Sequence, residues 1–503
     1  MRNGEWGIGR ARRLPRARLA GLTAVVAAIA VASSALSCSA EPAGSPEQRS
    51  GAQARAAQDS TAGAAGIGDP YYRLDGNGGI DVLHYDIDDT YAFARSGVRP
   101  RLSGSTTLRI RARQDLASFH LDLLLEATAV RVDGVDAGFV SGAHELVVTP
   151  ATAIDRGQRF EVVVEYDDDP SAYSWRGERN WLANAREVVT MNQPHMAAWW
   201  FAANDHPRDK ATFDIAITTD DDKTVLSNGR RIAREDNGDG TATTRWRMAD
   251  PMATYLAFFA AGDFQVRTGT SPAGIPVTSA VSRGFGAAKR QRLWTVLRRA
   301  GRVTDWLQTE LGPYPFDSTG GLVTTLPAGF ALENQTRPTY GGWIDASTQV
   351  HELAHQWFGD SVAVDRWRDI WLNEGFATYL EARYREAHGG LSTQRWMRRN
   401  HDALRGLRSF WKVDIADPGP DRIFAEPVYL RGGMTLAALR HRIGAADFRT
   451  LLRRWAAKHA DGTVRTGEFI ALAEKVSGRR LGGFFRAWLR APKAPARTRA
   501  NGF

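Results

Sequence analysis

Apolar and polar residues alternate in short runs through the first half of the chain, which is the pattern of half-buried β-strands. The clearest runs are residues 160–166 and 213–217. Clusters rich in Gly, Asn and Asp, such as 75–79 and 237–240, separate these runs as turns. Because no long helical period interrupts them, we expect a β-rich domain over residues 69–265.

Helical periodicity dominates the second half. Apolar residues recur at spacings of three and four over 293–311, which predicts one helix, and another is predicted over 374–389. Four more helical stretches are predicted towards the C-terminus: 434–443, 446–459, 466–476 and 481–490. We therefore expect an α+β fold, with a second domain at 266–490 followed by a basic tail at 491–503.

The N-terminus has the features of a targeting segment. Six arginines lie within residues 2–18, the last of them Arg18, and an apolar run rich in Ala and Val follows over 19–36. This order is typical of an export signal, although the run is also about long enough to be an uncleaved membrane anchor. The only cysteine, Cys38, comes next, within a segment that resembles a bacterial lipobox. We expect residues 1–37 to be a signal peptide and Cys38 to be lipidated, the alternative being an incidental cysteine.

The segment that follows Cys38 is composed mainly of Ala, Gly, Ser, Gln and Pro, with almost no large apolar side chains. Such a composition cannot bury enough surface to fold, so residues 38–68 are expected to form a disordered tether. The expected location is outside the cytoplasm, on the cell membrane as a lipoprotein or otherwise secreted.

The net charge of +9 invites a nucleic-acid-binding interpretation, which the distribution of charge does not favour. Residues 1–37 hold six arginines and one acid, so they carry +5 and leave +4 for the rest of the chain. No basic block with interleaved aromatic residues stands out there. The basicity is mostly a targeting feature, and we expect no nucleic-acid partner.

The strongest chemical signal is the motif His351-Glu352-Leu353-Ala354-His355. On a helix, residues four apart share one face, so the two imidazoles can bind one metal ion. Glu352 sits beside that face, where it can act as a general base without ligating the metal. A catalytic zinc keeps three protein ligands and an open position for water, so one more ligand is needed.

Glu374 is the candidate for that third ligand, separated from His355 by eighteen residues and within the segment WLNEG. Together with WFGD after the second histidine, this spacing resembles the M1 (gluzincin) metallopeptidases, whose best-known members are aminopeptidases. The resemblance implies one Zn²⁺ per chain, bound by His351, His355 and Glu374. It also implies a saddle-like β-rich N-terminal domain and a thermolysin-like zincin catalytic domain.

Residues 329–338 resemble the GAMEN exopeptidase motif of that family, with Phe330 and Leu332 replacing its first Gly and its Met. The resemblance implies substrate binding by Ala331, Glu333 and Asn334, with Glu333 holding the free α-ammonium group. The alternative is an edge strand with an incidental glutamate.

Residues 192–195 resemble the family's other substrate-pocket segment, which usually reads Gln-x-Glu. Gln193 matches the glutamine, and His195 stands where the anchoring glutamate would be. A neutral imidazole there can accept a hydrogen bond from an ammonium group but supplies no negative charge. A purely structural role for His195 is the alternative.

A further resemblance covers residues 426–433, in which Tyr429 takes the position of the tyrosine that stabilises the transition state. A buried core tyrosine is the alternative. The expected activity is removal of N-terminal residues from peptides with a free N-terminus. Other possibilities are a zinc endopeptidase, a hydrolase of relaxed specificity, and a non-catalytic surface-binding lipoprotein on an M1 scaffold.

Overall fold

Strands fill the first half of the described chain and helices most of the second, in a computed structural model that describes residues 61–503. The prediction of an α+β fold is confirmed. The predicted signal peptide, Cys38 and most of the predicted tether lie outside the described residues. Among the helices of residues 61–503, none combines the length and apolar character needed to cross a bilayer.

Fifteen strands build the β-rich half: β1 (Ile80–Ala92), β2 (Arg101–Ala112), β3 (Phe119–Asp122), β4 (Ala127–Val132), β5 (Val135–Asp136), β6 (Gly138–Ser141), β7 (Glu145–Thr149), β8 (Arg159–Asp168), β9 (Trp181–Ala183), β10 (Glu187–Thr190), β11 (Lys210–Asp220), β12 (Thr224–Ser227), β13 (Arg230–Asp236), β14 (Thr241–Ala253) and β15 (Phe259–Gly262). They form an eight-stranded sheet of order β13-β14-β11-β1-β2-β8-β4-β5, a four-stranded sheet β12-β15-β10-β9 and a three-stranded sheet β3-β7-β6.

Alternation of side chains determines which face of the large sheet is buried. In β8, Phe160, Val162 and Val164 are buried while their neighbours are partly or fully exposed. The pairs in this sheet are antiparallel except for β1 with β11, where Tyr85 lies beside Phe213. A period of two places every second residue on the core side, which is why the pattern in the sequence identified these strands.

Residues 61–68, at the start of the described chain, were predicted from their composition to be disordered, but they make backbone hydrogen bonds to the β-rich half. Residues 61–68 were assigned to the tether, yet Gly63 donates its N–H to the carbonyl of Ser118 at 2.8 Å, and Ala64 accepts from Gly78 N–H at 2.8 Å. Backbone hydrogen bonds hold this segment against the β-rich half, and such bonds are available to Gly and Ala whatever their side chains.

The second half begins with a sheet of order β16-β17-β18-β19, made of β16 (Phe264–Thr270), β17 (Pro276–Ser282), β18 (Thr319–Thr324) and β19 (Thr339–Gly341). Two short strands, β20 (Ala363–Val364) and β21 (Thr463–Val464), pair separately. The helices are α1 (Ala287–Leu297), α2 (Ala300–Leu311), α3 (Ala346–His355), α4 (Trp371–Ala387), α5 (Thr393–Leu404), α6 (Arg408–Trp411), α7 (Glu426–Ile443), α8 (Ala445–Lys458), α9 (Thr466–Ser477) and α10 (Gly482–Phe485).

The single helix predicted over 293–311 is two helices, because the chain turns at Arg298 and Arg299 between α1 and α2. Leu297 and Ala300 are both fully buried on either side of the break. Their spacing of three keeps the apolar repeat in phase across the turn, so periodicity alone could not reveal it.

The C-terminal residues also pack closely. The Phe503 ring stacks on Trp488 with ring centroids 6.0 Å apart, and the Trp488 indole N–H donates to the carbonyl of Asn501 at 3.0 Å. The segment predicted as a basic tail therefore covers part of the helical core.

Helices α4 and α7 cross at two glycines. A Cβ on Gly375 would lie 2.9 Å from the Cα of Gly432, and a Cβ on Gly432 would lie 2.7 Å from the Cα of Gly375. The two backbones are therefore in direct contact, and neither position has room for a methyl group because the obstructing atoms belong to the backbone.

We expect Gly432→Ala to lower the free energy of unfolding by about 1–3 kcal/mol, because the added methyl group must force the two helices apart. Gly467→Ala is the matched control, since Gly467 lies in α9 with no atom within 4 Å of the added Cβ. That control should be neutral or stabilising by up to about 1 kcal/mol, as expected for Gly→Ala in an open helix. Urea denaturation measures both, and equal effects of the two substitutions would contradict the close contact.

Candidate metal centre and active site

Helix α3 supplies the two histidines of the motif. Asp345 caps its N-terminus by accepting the N–H of Thr348 at 2.8 Å, and the apolar face of the helix buries Val350 and Leu353. His351 and His355 follow one turn apart on the same side, with ring centroids 4.8 Å apart. The spacing of four in the sequence thus places both imidazoles at one point.

Helix α4 brings Glu374 to that point. Its Oε2 atom lies 3.2 Å from His351 Nε2 and 3.4 Å from His355 Nε2. Among residues 61–503, these three side chains form one of the groups whose ligand atoms all lie within 4.8 Å of one another. Two imidazole nitrogens and one carboxylate oxygen suit Zn²⁺, so the residues present fit the predicted ion.

The other nitrogen of each imidazole is also occupied. His351 Nδ1 lies 2.8 Å from Glu381 Oε1, and His355 Nδ1 lies 3.0 Å from the carbonyl oxygen of Phe358. These contacts orient both rings so that Nε2 faces Glu374, the arrangement that holds a ligating histidine in one tautomer. Glu381 was not predicted from the sequence, although its position two turns after Glu374 on the same helix face is a signal that could have identified it.

Electrostatics at the three ligands favour a cation. Burial disfavours the imidazolium forms, but Glu374 outweighs it and raises the pKa of His355 to about 9. Burial likewise opposes ionisation of Glu374, yet the two imidazoles lower its pKa to about 2. The site therefore favours a positive charge between these groups, as a bound cation would supply.

Glu352 lies beside the ligands and its side chain is buried. Burial raises the pKa of Glu352 to about 8, against the opposing influence of His351 and His355. A buried carboxylate is a stronger base than one in water, as a group that accepts a proton from water requires.

These residues line one cavity of about 410 Å³. Its walls are formed by Asn192, Gln193, Phe330, Ala331, Glu333, His351, Glu352, His355, Glu374, Phe424 and Tyr429. The structure thus brings together eight of the predicted site residues. Phe424, which the sequence analysis missed, and Phe330 are exposed aromatic side chains at its rim.

Glu333 lies in the same cavity and is held by residues from the β-rich half. Its Oε1 atom accepts hydrogen bonds from Gln193 Nε2 at 3.0 Å and from the Tyr255 hydroxyl at 3.2 Å. Its backbone carbonyl accepts from Gln356 Nε2, just after α3, at 3.0 Å. The role of Tyr255 was not predicted, because no motif links it to Glu333 in the sequence.

Tyr429 projects from the first turn of α7, and its ring lies over His351 with centroids 6.0 Å apart. Burial raises the pKa of Tyr429 well above its ordinary value, so the hydroxyl stays protonated and can donate. The next turn is anchored by Arg431, whose Nη1 donates to the carbonyls of Trp411 at 3.0 Å and Val413 at 2.7 Å.

His195 does not line this cavity, which corrects the expectation that it occupies the place of a substrate-anchoring glutamate. Its Nε2 lies 2.7 Å from Asp75 Oδ2 and its Nδ1 lies 3.1 Å from Glu178 Oε2. Burial disfavours the charged ring, but these two carboxylates raise the pKa of His195 to about 10. His195 is therefore a protonated ring between two acids, and it stabilises the local structure.

Asn334 is also absent from the cavity wall. It is fully buried, and its Nδ2 donates to the carbonyl of Leu256 at 3.1 Å. This hydrogen bond ties the Glu333 segment to the β-rich half, so Asn334 positions the neighbouring carboxylate and does not face the cavity.

Comparison with known proteins agrees with this architecture. Residues 88–256 match the Peptidase M1 N-terminal domain, and residues 320–488 match the Peptidase family M1 domain. The M1 zinc metallopeptidase of Deinococcus radiodurans has a similar structure, with a TM-score of 0.76 and 26% identity over 86% of this chain and 99% of that chain. A mutant of it bound to a Tyr-Ser-Ala substrate gives a TM-score of 0.78 over the same shares, also at 26% identity.

Curated relatives are longer than this chain. Aminopeptidase N of Lactococcus lactis subsp. cremoris is 28% identical over 434 residues, which are 79% of this chain and 49% of the relative. Aminopeptidase N of Streptomyces lividans is 28% identical over 323 residues, 58% of this chain and 36% of the relative. The chain thus spans about half the length, or less, of these two relatives.

Both family domains occur in order along the chain, and the ligands His351, His355 and Glu374 converge within the second. This chain therefore belongs to peptidase family M1.

Proposed function

We propose that this protein is a zinc aminopeptidase that removes N-terminal residues from peptides. The observation that carries the proposal is the shared cavity, which contains the three candidate zinc ligands, Glu352 and the carboxylate of Glu333. A peptide bound there would have its scissile bond near the ligands and its free α-ammonium group near Glu333.

A bound zinc ion would polarise the peptide carbonyl and make water a nucleophile near neutral pH. Glu352 then accepts a proton from the attacking water and delivers it to the leaving amine, since its buried carboxylate faces the same cavity. The Tyr429 hydroxyl donates a hydrogen bond to the carbonyl oxygen as negative charge develops on it.

Glu333 determines where the peptide is cut. Its carboxylate is already held by Gln193 and Tyr255, so it is pre-oriented to receive an ammonium group. An anchor for the free amine places only the first peptide bond at the reaction site. This supports exopeptidase action over endopeptidase action.

Two other functions considered from the sequence, a hydrolase of relaxed specificity and a non-catalytic scaffold, lose their main support. Relaxed specificity depended on His195 replacing an anchoring glutamate in the pocket, but that ring binds Asp75 and Glu178 outside the cavity wall. A non-catalytic scaffold would not need Glu352 and Tyr429 beside an intact ligand set, and both line the cavity.

We also propose that the enzyme is exported and attached to the membrane through Cys38. The proposal is supported by the basic segment, the apolar run at 19–36 and the lipobox-like residues around the cysteine. Attachment would place the aminopeptidase outside the cytoplasm, where it would act on extracellular peptides.

We expect Glu352→Gln to lower kcat by roughly 100- to 10,000-fold, because glutamine cannot accept the proton of the attacking water. The zinc content should stay at the wild-type value, since Glu352 is not one of the three ligands. Steady-state kinetics and elemental analysis of the same preparation measure both quantities. Wild-type turnover in this variant would exclude Glu352 as the general base.

Removal of the charge at Glu333 should cost affinity for free amino termini. We expect Glu333→Gln to lower kcat/KM about 30-fold or more on aminoacyl-coumarin substrates, corresponding to about 2 kcal/mol for a buried charge pair that has lost one partner. The N-acetylated forms of the same substrates serve as controls, and the wild-type enzyme should not cleave them. A kcat/KM on the free-amine substrates that stays at the wild-type value in this variant would exclude Glu333 as the anchor.

If Cys38 is lipidated, we expect protein recovered from the membrane fraction of an expressing bacterium to begin at Cys38 and to carry lipid on that thiol. Intact-mass and peptide mass spectrometry measure both features. Cys38→Ser should release the protein from the membrane without changing kcat. An unmodified cysteine in the membrane-bound protein would contradict lipidation.

A further inference from the structure

A second cluster of potential metal ligands lies in the β-rich half, away from the catalytic cavity. Strands β3 and β7 pair antiparallel, with Asp122 directly opposite Glu145. His144 precedes Glu145 in the chain, and its backbone carbonyl accepts the N–H of Leu123 at 2.8 Å. Two carboxylates opposite each other on adjacent strands repel, so this pairing favours a cation or a proton between them.

The protein compensates this repulsion only in part. Asp122 is fully buried, and its Oδ2 accepts from Asn77 Nδ2 at 3.0 Å and from Asp205 N–H at 2.7 Å. Glu145 Oε2 lies 3.2 Å from His120 Nδ1. The second oxygen of each acid, Asp122 Oδ1 and Glu145 Oε1, is buried and has no hydrogen-bond partner within residues 61–503. Such unpaired buried oxygens are costly.

His144 faces both of these unpaired oxygens. Its Nε2 lies 3.4 Å from Asp122 Oδ1, and its Nδ1 lies 3.7 Å from Glu145 Oε1. The ring is 3% exposed and is held by stacking on Trp175, with centroids 4.0 Å apart, and its Nδ1 has no hydrogen-bond partner in the described part of the chain.

We propose that Asp122, His144 and Glu145 bind a second divalent transition-metal ion, of which Zn²⁺ is the expected occupant. Their ligand atoms lie within 4.8 Å of one another, as do those of the catalytic ligands. The separation of 3.4 Å between Asp122 Oδ1 and His144 Nε2 equals that between Glu374 and His355. It is also about the edge of a tetrahedron with ligands about 2.1 Å from zinc.

The donor set narrows the choice of ion. One imidazole nitrogen with two carboxylate oxygens suits Zn²⁺ or Mn²⁺, whereas Ca²⁺ requires six to eight oxygens. An ion here would join β3 to β7 and neutralise the opposed acids. Its role would be structural, and it does not depend on the catalytic function proposed above.

The test counts metal ions in the full-length protein. Wild-type protein stripped with a chelator, reloaded with Zn²⁺ and desalted should contain two zinc ions per chain by elemental mass spectrometry. His144→Gln should contain one and keep the catalytic ion, and His351→Gln should also contain one. His401→Gln is the matched control, a buried histidine whose Nε2 lies 2.9 Å from the Pro495 carbonyl oxygen, and it should retain two.

Thermal unfolding gives an independent measurement. Zn²⁺ should raise the melting temperature of His351→Gln, which lacks one catalytic ligand and keeps the proposed site, and Mn²⁺ measured in parallel identifies the preferred ion. The double variant His351→Gln/His144→Gln should show no such shift. One zinc ion per wild-type chain, or a melting temperature of His351→Gln that does not respond to either metal, would overturn the proposal. His144 would then be a histidine between two acids that binds no metal ion.

Discussion

The attraction between one buried carboxylate and two imidazoles is the interaction on which the catalytic half depends. Glu374 lies within 3.4 Å of both Nε2 atoms, and it comes from a different helix than the two histidines. Helices α3 and α4 must therefore be held in a fixed relation. The contact of His351 with Glu381 links these two helices, and the contact of His355 with the Phe358 carbonyl keeps the second ring from rotating away.

The cavity is assembled from both halves of the chain. Glu333 comes from the segment before α3, yet the donors to its carboxylate, Gln193 and Tyr255, belong to the β-rich half. Asn334 adds a third link through the carbonyl of Leu256. The proposed recognition of a substrate's amino terminus therefore depends on the contact between the halves, whereas the candidate metal ligands all come from the second half. A change at this contact would alter substrate affinity more directly than metal affinity.

The metal ligands could be predicted from the sequence because helical periodicity converts a spacing of four into a common face. Nothing comparable exists for His195, whose environment is determined by Asp75 and Glu178, distant in the chain. Its alignment with the glutamate of a Gln-x-Glu motif predicted a place in the substrate pocket, but its contacts with these two acids hold it outside the cavity wall. The fold class could be predicted from the alternation of apolar and polar residues in strands and from the helical period. The turn at Arg298 could not be predicted, because the apolar repeat continues across it. Composition also failed for residues 61–68, since main-chain hydrogen bonds carry no signature in side-chain chemistry.

The backbone contact between Gly375 and Gly432 has a consequence for how this active site can vary. Gly375 adjoins the candidate ligand Glu374, and Gly432 lies about one turn after Tyr429, so the contact lies between the helix segments that carry these two side chains. The spacing of these two helices at the contact is determined by main-chain atoms, which a side-chain substitution elsewhere leaves unchanged. The exposed rings at the rim, Phe330 and Phe424, are free of that constraint. Selection or engineering could therefore remodel the preference for the first residue of the peptide while the catalytic geometry stays intact.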